Sequence, residues 1–191
     1  MKFNKYKYFV ETNVAGLTHQ ERVALCLICC TRLAPLYLRF SQTENWGNTS
    51  LLTLSRELAV NWIYNININP TPLLSKVNTI IPESEEFGSV LGSYAFNASA
   101  SHAYLLELVL CNKPDYLLYV LQNCYDTIDL YVQELLDPDC IGDLSEDKIE
   151  NHIEMINEVN WQLETLRKIK GNKELVKFID ENTTNEAYNF A

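Results

Sequence analysis

The sequence predicts an all-α fold, a single-domain bundle of about seven or eight helices around a buried central helix near residues 18–34. Three observations carry this expectation. Residues 18–40, THQERVALCLICCTRLAPLYLRF, run from Ala24 to Cys30 with no strongly polar side chain, and a helix apolar all round must be covered on every side. Apolar residues recur at helical spacing in most later segments. Six glycines and six prolines in 191 residues are too few for the many tight turns of an all-β chain. At 22.0 kDa the chain can bury roughly 70% of its unfolded surface, enough for a sizeable core.

Residues 1–16 form an N-terminal arm in which FNKYKYFVET (3–12) reads as a short helix or a loosely docked segment. Thr18-His19-Gln20-Glu21 has the form of a capping box, the Thr18 hydroxyl accepting from the Glu21 amide and the Glu21 carboxylate from the Thr18 amide. Pro35 has no amide hydrogen, so the central helix is expected to stop or kink just before it, with Leu36 to Phe40 as a short second piece. Asn48 or Thr49 caps a helix over roughly 49–65, with Leu51, Leu54, Leu58, Trp62 and Tyr64 inward. The alternating Asn and Ile of 65–72 read as a loop, and 73–81 as a short helix or turn.

Ser84 is the expected cap of a helix over 85–111, where Glu85 and Glu86 suit the positive end of the dipole. Gly88, Gly92, Ala95, Ser99 and Ala103 share one face of it, where the bulky 18–40 helix can approach closely. Pro114 suits the first turn of a helix over 115–136, with Leu117, Val120, Leu121, Cys124, Ile128, Tyr131, Val132 and Leu135 on its inner face. A long helix over 144–170 is expected to end at Gly171 in a left-handed cap. A last helix over 172–182 and a polar tail, 183–191, follow.

The net charge of −10 is uneven: residues 1–100 sum to +1 and residues 101–191 to −11. Such a surface repels phosphate backbones, so the expected partner is a basic protein and not nucleic acid. The first sixteen residues lack the apolar run of a secretion signal, and no segment reads as crossing a membrane. A cytoplasmic protein with reduced thiols is therefore expected.

Glu146, Glu150, Glu154 and Glu158 stand four residues apart, which on one continuous helix stacks four carboxylates on one face. Asp143 and Asp147 thicken the patch, and Ile149, Ile153, Ile156, Val159, Leu163 and Leu166 take the opposite face. These six acidic residues are the candidate partner-binding surface, weighed against a merely solvated face. Residues 137–148, DPDCIGDLSEDK, approach a calcium loop, but Ile141 takes a ligand position and Lys148 replaces the bidentate glutamate. That stretch reads instead as a turn with a helix cap at Asp143 or Ser145. Cys26-Leu27-Ile28-Cys29 has the C-x-x-C form inside an apolar helix, where thiols are inert core residues. His19, His102 and His152 lack motif context, and there is no Gly-rich phosphate loop, G-x-S-x-G or H-E-x-x-H. No catalytic residue, cofactor or metal is assigned. If a pocket lies between helices, Arg32, Tyr37 and His102 are the candidates to line it.

Three segments also resemble a known family. Cys30, Arg32, Pro35, Tyr37 and Phe40 fit C-x-R-x-x-P-x-Y-x-x-F; Trp46-Gly47 leads a helix ending near Trp62; and Ile81-Pro82 precedes Glu85-Glu86-Phe87 and an alanine-rich helix through Ala98 and Ala100. Together these resemble the YjaG-like bacterial family of unknown function over residues 17–112. Thr31 and Asn48 stand here where the family usually has acidic residues. The resemblance implies a compact all-helical bacterial protein and no particular activity. The functional expectation is a non-enzymatic protein-binding module, of the immunity type, that neutralises a partner toxin through its acidic surface. The alternatives are an enzyme or small-ligand protein with an interhelical pocket, and a structural homodimer built on the N-terminal arm.

Overall fold

The central helix is longer than its sequence implied. In the computed structural model, which describes residues 3–83, 86–87, 89–138, 144–183, 187–188 and 190, α2 runs His19–Glu44 without interruption. It opens on the expected capping box: Glu21 N–H donates to Thr18 Oγ1 at 3.3 Å, and Thr18 N–H to the Glu21 carboxylate at 2.7 Å. Pro35 does not end the helix. A proline inside a helix costs about 3 kcal/mol. Beyond it, however, Leu36, Tyr37 and Phe40 are buried, and each such side chain returns roughly 1.5–3 kcal/mol. Burial therefore outweighs the local break. The apolar window of α2 is long enough to cross a membrane, but 72% of it is buried inside the protein, as in a core helix.

Among the described residues the other helices are α1 (Phe3–Ala15), α3 (Thr49–Ile63), α4 (Thr71–Asn78), α5 (Val90–Cys111), α6 (Pro114–Leu136), α7 (Glu146–Glu150), α8 (Ile153–Ile169) and α9 (Leu175–Thr183), with no strand. The most extensive contact is between α2 and α5, and α3, α6, α8 and α9 also pack on α2. The first residues are a docked helix and not a loose arm: Tyr6, Val10 and Val14 of α1 are buried, and α1 lies against α6 and α8.

Asn48 caps α3 by accepting from Ser50 N–H at 3.1 Å. The inner face of α3 is Leu51, Leu52, Ser55, Leu58, Ala59 and Ile63, while Leu54 and Tyr64, expected inside, face out at 46% and 59% exposure. On α6, Leu135 likewise faces out and Tyr125 is buried in its place. The helix expected from 85 begins at Val90; the proposed cap Ser84, with Glu85 and Gly88, lies outside the described residues. A side chain at Gly92 would press on Phe87, with its Cβ 3.0 Å from that of Phe87. Gly92 thus makes room for the segment entering α5.

The long helix over 144–170 is two helices. Asn151 and His152 break it: Asn151 Nδ2 donates back to the Asp147 carbonyl at 2.6 Å, and His152 Nδ1 accepts from Glu154 N–H at 3.3 Å as the cap of α8. Such side chains compete with the helical ladder for the backbone. The break also avoids stacking four like charges, each pair costing roughly 0.2–0.5 kcal/mol. It rotates α8 so that Ile153 is 58% exposed and Glu158 points inward. As expected, Gly171 is left-handed (φ +75°) just past α8, and its N–H donates to Glu21, which joins the end of α8 to the start of α2. The tail expected to be polar carries Tyr188, which is buried.

Candidate functional site

Among the described residues, Glu158 is the one member of the expected acidic surface that the fold takes inside, at 3% exposure. Its two oxygens face the Arg32 guanidinium at 3.3 and 2.8 Å, one accepts from Gln162 Nε2 at 2.7 Å, and the other from the Tyr188 hydroxyl at 2.8 Å. Gln162 passes the chain on, donating to the Leu121 carbonyl and accepting from the Tyr6 hydroxyl. The guanidinium is also sandwiched, 3.5 Å from the Trp161 ring and 4.4 Å from that of Tyr188. Burial opposes the Arg32 charge, but Tyr188 and Glu158 more than offset it and raise its pKa. Burial, the Cys124 thiol and Glu158 raise the Tyr188 hydroxyl, which stays protonated and donates.

A pocket of about 590 Å³ opens over this pair, lined among others by Arg32, Tyr131, Glu154, Asn157, Trp161 and Phe190. The chain near the C-terminus forms one wall. Tyr188 N–H donates to the Arg32 carbonyl at 3.1 Å, the Phe190 carbonyl accepts from Arg39 at 2.8 Å, and the Phe190 ring stacks on Tyr131 at 4.1 Å.

The remaining acidic candidates do not form a ridge. Glu146, Asp147 and Glu150 sit on α7 and Glu154 opens α8, while Asp143 lies outside the described residues. Glu146 and Glu150 instead join two carboxylates of α6, Asp126 and Asp129, around a groove of about 370 Å³. Its apolar floor is Phe3, Tyr125 and Ile149, and no described lining residue is basic. Burial raises the pKa of Asp126 and of Asp129, against hydrogen bonds from Gln122 and Gln133. Tyr125 is pushed up to about 12 by burial and then by Glu150, Asp129, Asp126 and Glu146, so all four carboxylates bear on one ring. Among the described residues no cluster of His, Cys, Asp and Glu could hold a metal ion.

Sequence reasoning missed Asp126 and Asp129. The available signal was their spacing of three on a helix whose apolar face was already assigned, which puts both on its flank. It also grouped Arg32, Tyr37 and His102, which the fold keeps apart. His102 is fully buried, its Nδ1 2.5 Å from Ser55 Oγ, and burial with the nearby Arg56 holds its pKa down at about 3, so it is neutral. Tyr37 donates its hydroxyl to the Ile80 carbonyl at 3.0 Å. Gly47 is left-handed (φ +83°), and a Cβ there would strike that hydroxyl. Next to it, Phe40, Trp46 and Phe87 meet edge to face at 4.8–5.8 Å. The three segments that carried the family resemblance thus converge on one packing cluster.

The chain belongs to a family described as a protein of unknown function (DUF416), which matches residues 10–187. A crystal structure of a DUF416 family protein from Shewanella baltica OS155 shares the fold, with a TM-score of 0.78 over 90% of this chain and 91% of that one, at 21% identity. No curated protein matches the sequence.

Proposed function

We propose that the protein is a non-enzymatic binding module that takes a basic segment of a partner protein into the groove between α6 and α7. The observation behind this reading is the convergence of Asp126, Asp129, Glu146 and Glu150 on Tyr125, with no basic residue among the described lining. Ionising carboxylates side by side is unfavourable, and an incoming lysine or arginine relieves that repulsion. Phe3, Tyr125 and Ile149 would pack its aliphatic stem while the charge meets the rim. In its sharper form the protein is of the immunity type, a cytoplasmic member of the YjaG-like group that blocks a basic toxin, and its acidic half speeds the encounter.

The test is a fluorescently labelled arginine-rich peptide titrated by anisotropy. Binding should weaken as salt rises, and a citrulline version of the peptide should not bind. Asp129→Asn combined with Glu146→Lys should weaken binding at least about tenfold. Affinity should also fall as pH drops through the raised range of Asp126 and Asp129, because protonated carboxylates no longer attract the peptide. Equal binding by the wild type and the double variant at low salt would sink this reading.

The pocket over Arg32 favours a second reading, a small polar ligand held between helices, with or without chemistry. It ranks behind the groove because the Arg32 guanidinium is already engaged by Glu158, Trp161 and Tyr188.

A further inference from the structure

Four aromatic side chains line the pocket of about 590 Å³ over the buried ion pair: Tyr131 of α6, Trp161 of α8, and Tyr188 and Phe190 near the C-terminus. Glu154 and Asn157, from the first two turns of α8, stand among them. Glu154 is half-buried and Asn157 is exposed, so an occupant of the pocket can touch both.

The charges of this lining do not cancel. Arg32 and Glu158 match each other at 2.8 Å. Glu154 is the charge left over, and among the described residues no cation is paired with its carboxylate. An anion would find little to hold it. Both terminal nitrogens of the guanidinium donate to Glu158, and the Trp161 and Tyr188 rings lie against its central carbon. Glu154 would repel an anion as well. A neutral guest would leave Glu154 unanswered. A cation gains from Glu154 and from the rings together, because the face of an aromatic ring is the negative part of its quadrupole. The same wall already holds one cation in this way, the Arg32 guanidinium between Trp161 and Tyr188. A bare ammonium is strongly hydrated and would trade that shell for few hydrogen bonds. An ammonium covered by methyl groups keeps the charge, gives up less water and packs on aromatic walls.

We propose that this pocket binds a small methylated ammonium cation, its charge on Glu154 and its methyl groups against Trp161, Tyr131 and Phe190. The site rests on the second reading above, a small ligand held between helices, and is independent of the acidic groove.

The experiment is a calorimetric titration of the full chain with choline and, in parallel, with its uncharged carbon isostere 3,3-dimethyl-1-butanol. NMR signals of Glu154, Asn157 and the Trp161 indole report where each compound sits. Choline should saturate and shift those signals, and the isostere should bind at least about tenfold more weakly. That comparison uses the wild type, so it does not depend on any variant folding. Glu154→Gln keeps the size and removes the charge; it should lose at least about fivefold in choline affinity and leave the isostere unchanged. The groove variant Asp129→Asn/Glu146→Lys should bind choline as the wild type does, and a loss there would put the cation in the groove and overturn the inference. Phosphatidylcholine vesicles carry the same cation on a lipid; capture by vesicles without binding of free choline would overturn it too. Isostere binding as tight as choline would leave a small-ligand pocket but no cation site. No saturable choline binding, or unchanged choline affinity in Glu154→Gln, would equally overturn the inference.

Discussion

At Glu158 a carboxylate has left water and kept its charge, because Arg32, Gln162 and Tyr188 meet both of its oxygens. At Asp126, Asp129, Glu146 and Glu150 the carboxylates line a wet rim with no described cation beside them. The residue chemistry is the same and the physics is opposite. In the first region the charges are spent on the fold, joining α1, α2, α8 and the chain near its C-terminus. In the second, amide N–H groups of Gln122, Gln133 and Phe3 meet three of them but no described cation does, and a charge without a counter-charge is what an oppositely charged partner reads. Acidic composition alone therefore says little about function. What matters is which carboxylates the fold has already matched.

The sharpest way to break this comparison is to strand the buried cation. Glu158→Ala leaves Arg32 uncompensated and should cost about 3–5 kcal/mol in a urea unfolding experiment. The double replacement Arg32→Met/Glu158→Leu should regain much of that loss, because removing both charges removes the burial penalty too. If the single variant unfolds like the wild type, the ion pair does not hold the fold.

His102 supplies a third way of handling charge, which is to give it up. The unfolded chain takes up a proton as pH falls through the ordinary value of 6.5, while the folded protein resists until about 3. Between those values the unfolded state binds more protons, so the fold should lose stability as pH falls, by about 1.4 kcal/mol per pH unit at most. The pH dependence of the denaturation midpoint should flatten in His102→Asn. An unchanged slope would mean that the ring titrates normally.

Gly47→Ala tests a region with no charge at all. It forces a side chain into left-handed backbone and against the Tyr37 hydroxyl, and should cost roughly 1–3 kcal/mol. Peptide binding by the groove should be untouched at temperatures where the variant is folded. The smallest effect belongs to the groove. Asp126→Asn with Asp129→Asn should leave stability at neutral pH equal or slightly raised, by under about 1 kcal/mol because both groups are partly solvated. A clear loss of stability there would mean that these carboxylates serve the fold after all.

The local grammar of the sequence was legible wherever a single residue decides a backbone geometry. The Thr18 box, the Asn48 cap, the Pro114 start and the left-handed Gly171 all stand where the sequence placed them. Errors came where distant contacts overrule local preference. Pro35 stays helical because Tyr37 and Phe40 are buried beyond it, and nothing near residue 35 announces that. The acidic ridge failed because Asn151 and His152 end one helix and start another. Once α8 is started at Ile153, its buried stripe of Met155, Glu158, Val159, Gln162, Leu163 and Leu166 recurs at helical spacing and places Glu158 and Gln162 inside. The match to Arg32 remains illegible even so, since it lies 126 residues away. The docking of Tyr188 is equally hidden in a stretch that reads as polar.

The span between Arg32 and Glu158 also has a meaning in time. A ribosome adding about 5–20 residues per second needs on the order of ten seconds to deliver the partner of a guanidinium already made. During that interval the central helix carries a guanidinium whose carboxylate has not yet been made. Desolvating that charge alone, in a wrong core or a lipid bilayer, is costly. On the ribosome the pair cannot close until Glu158 and Tyr188 have been made, so this contact belongs to the late part of assembly.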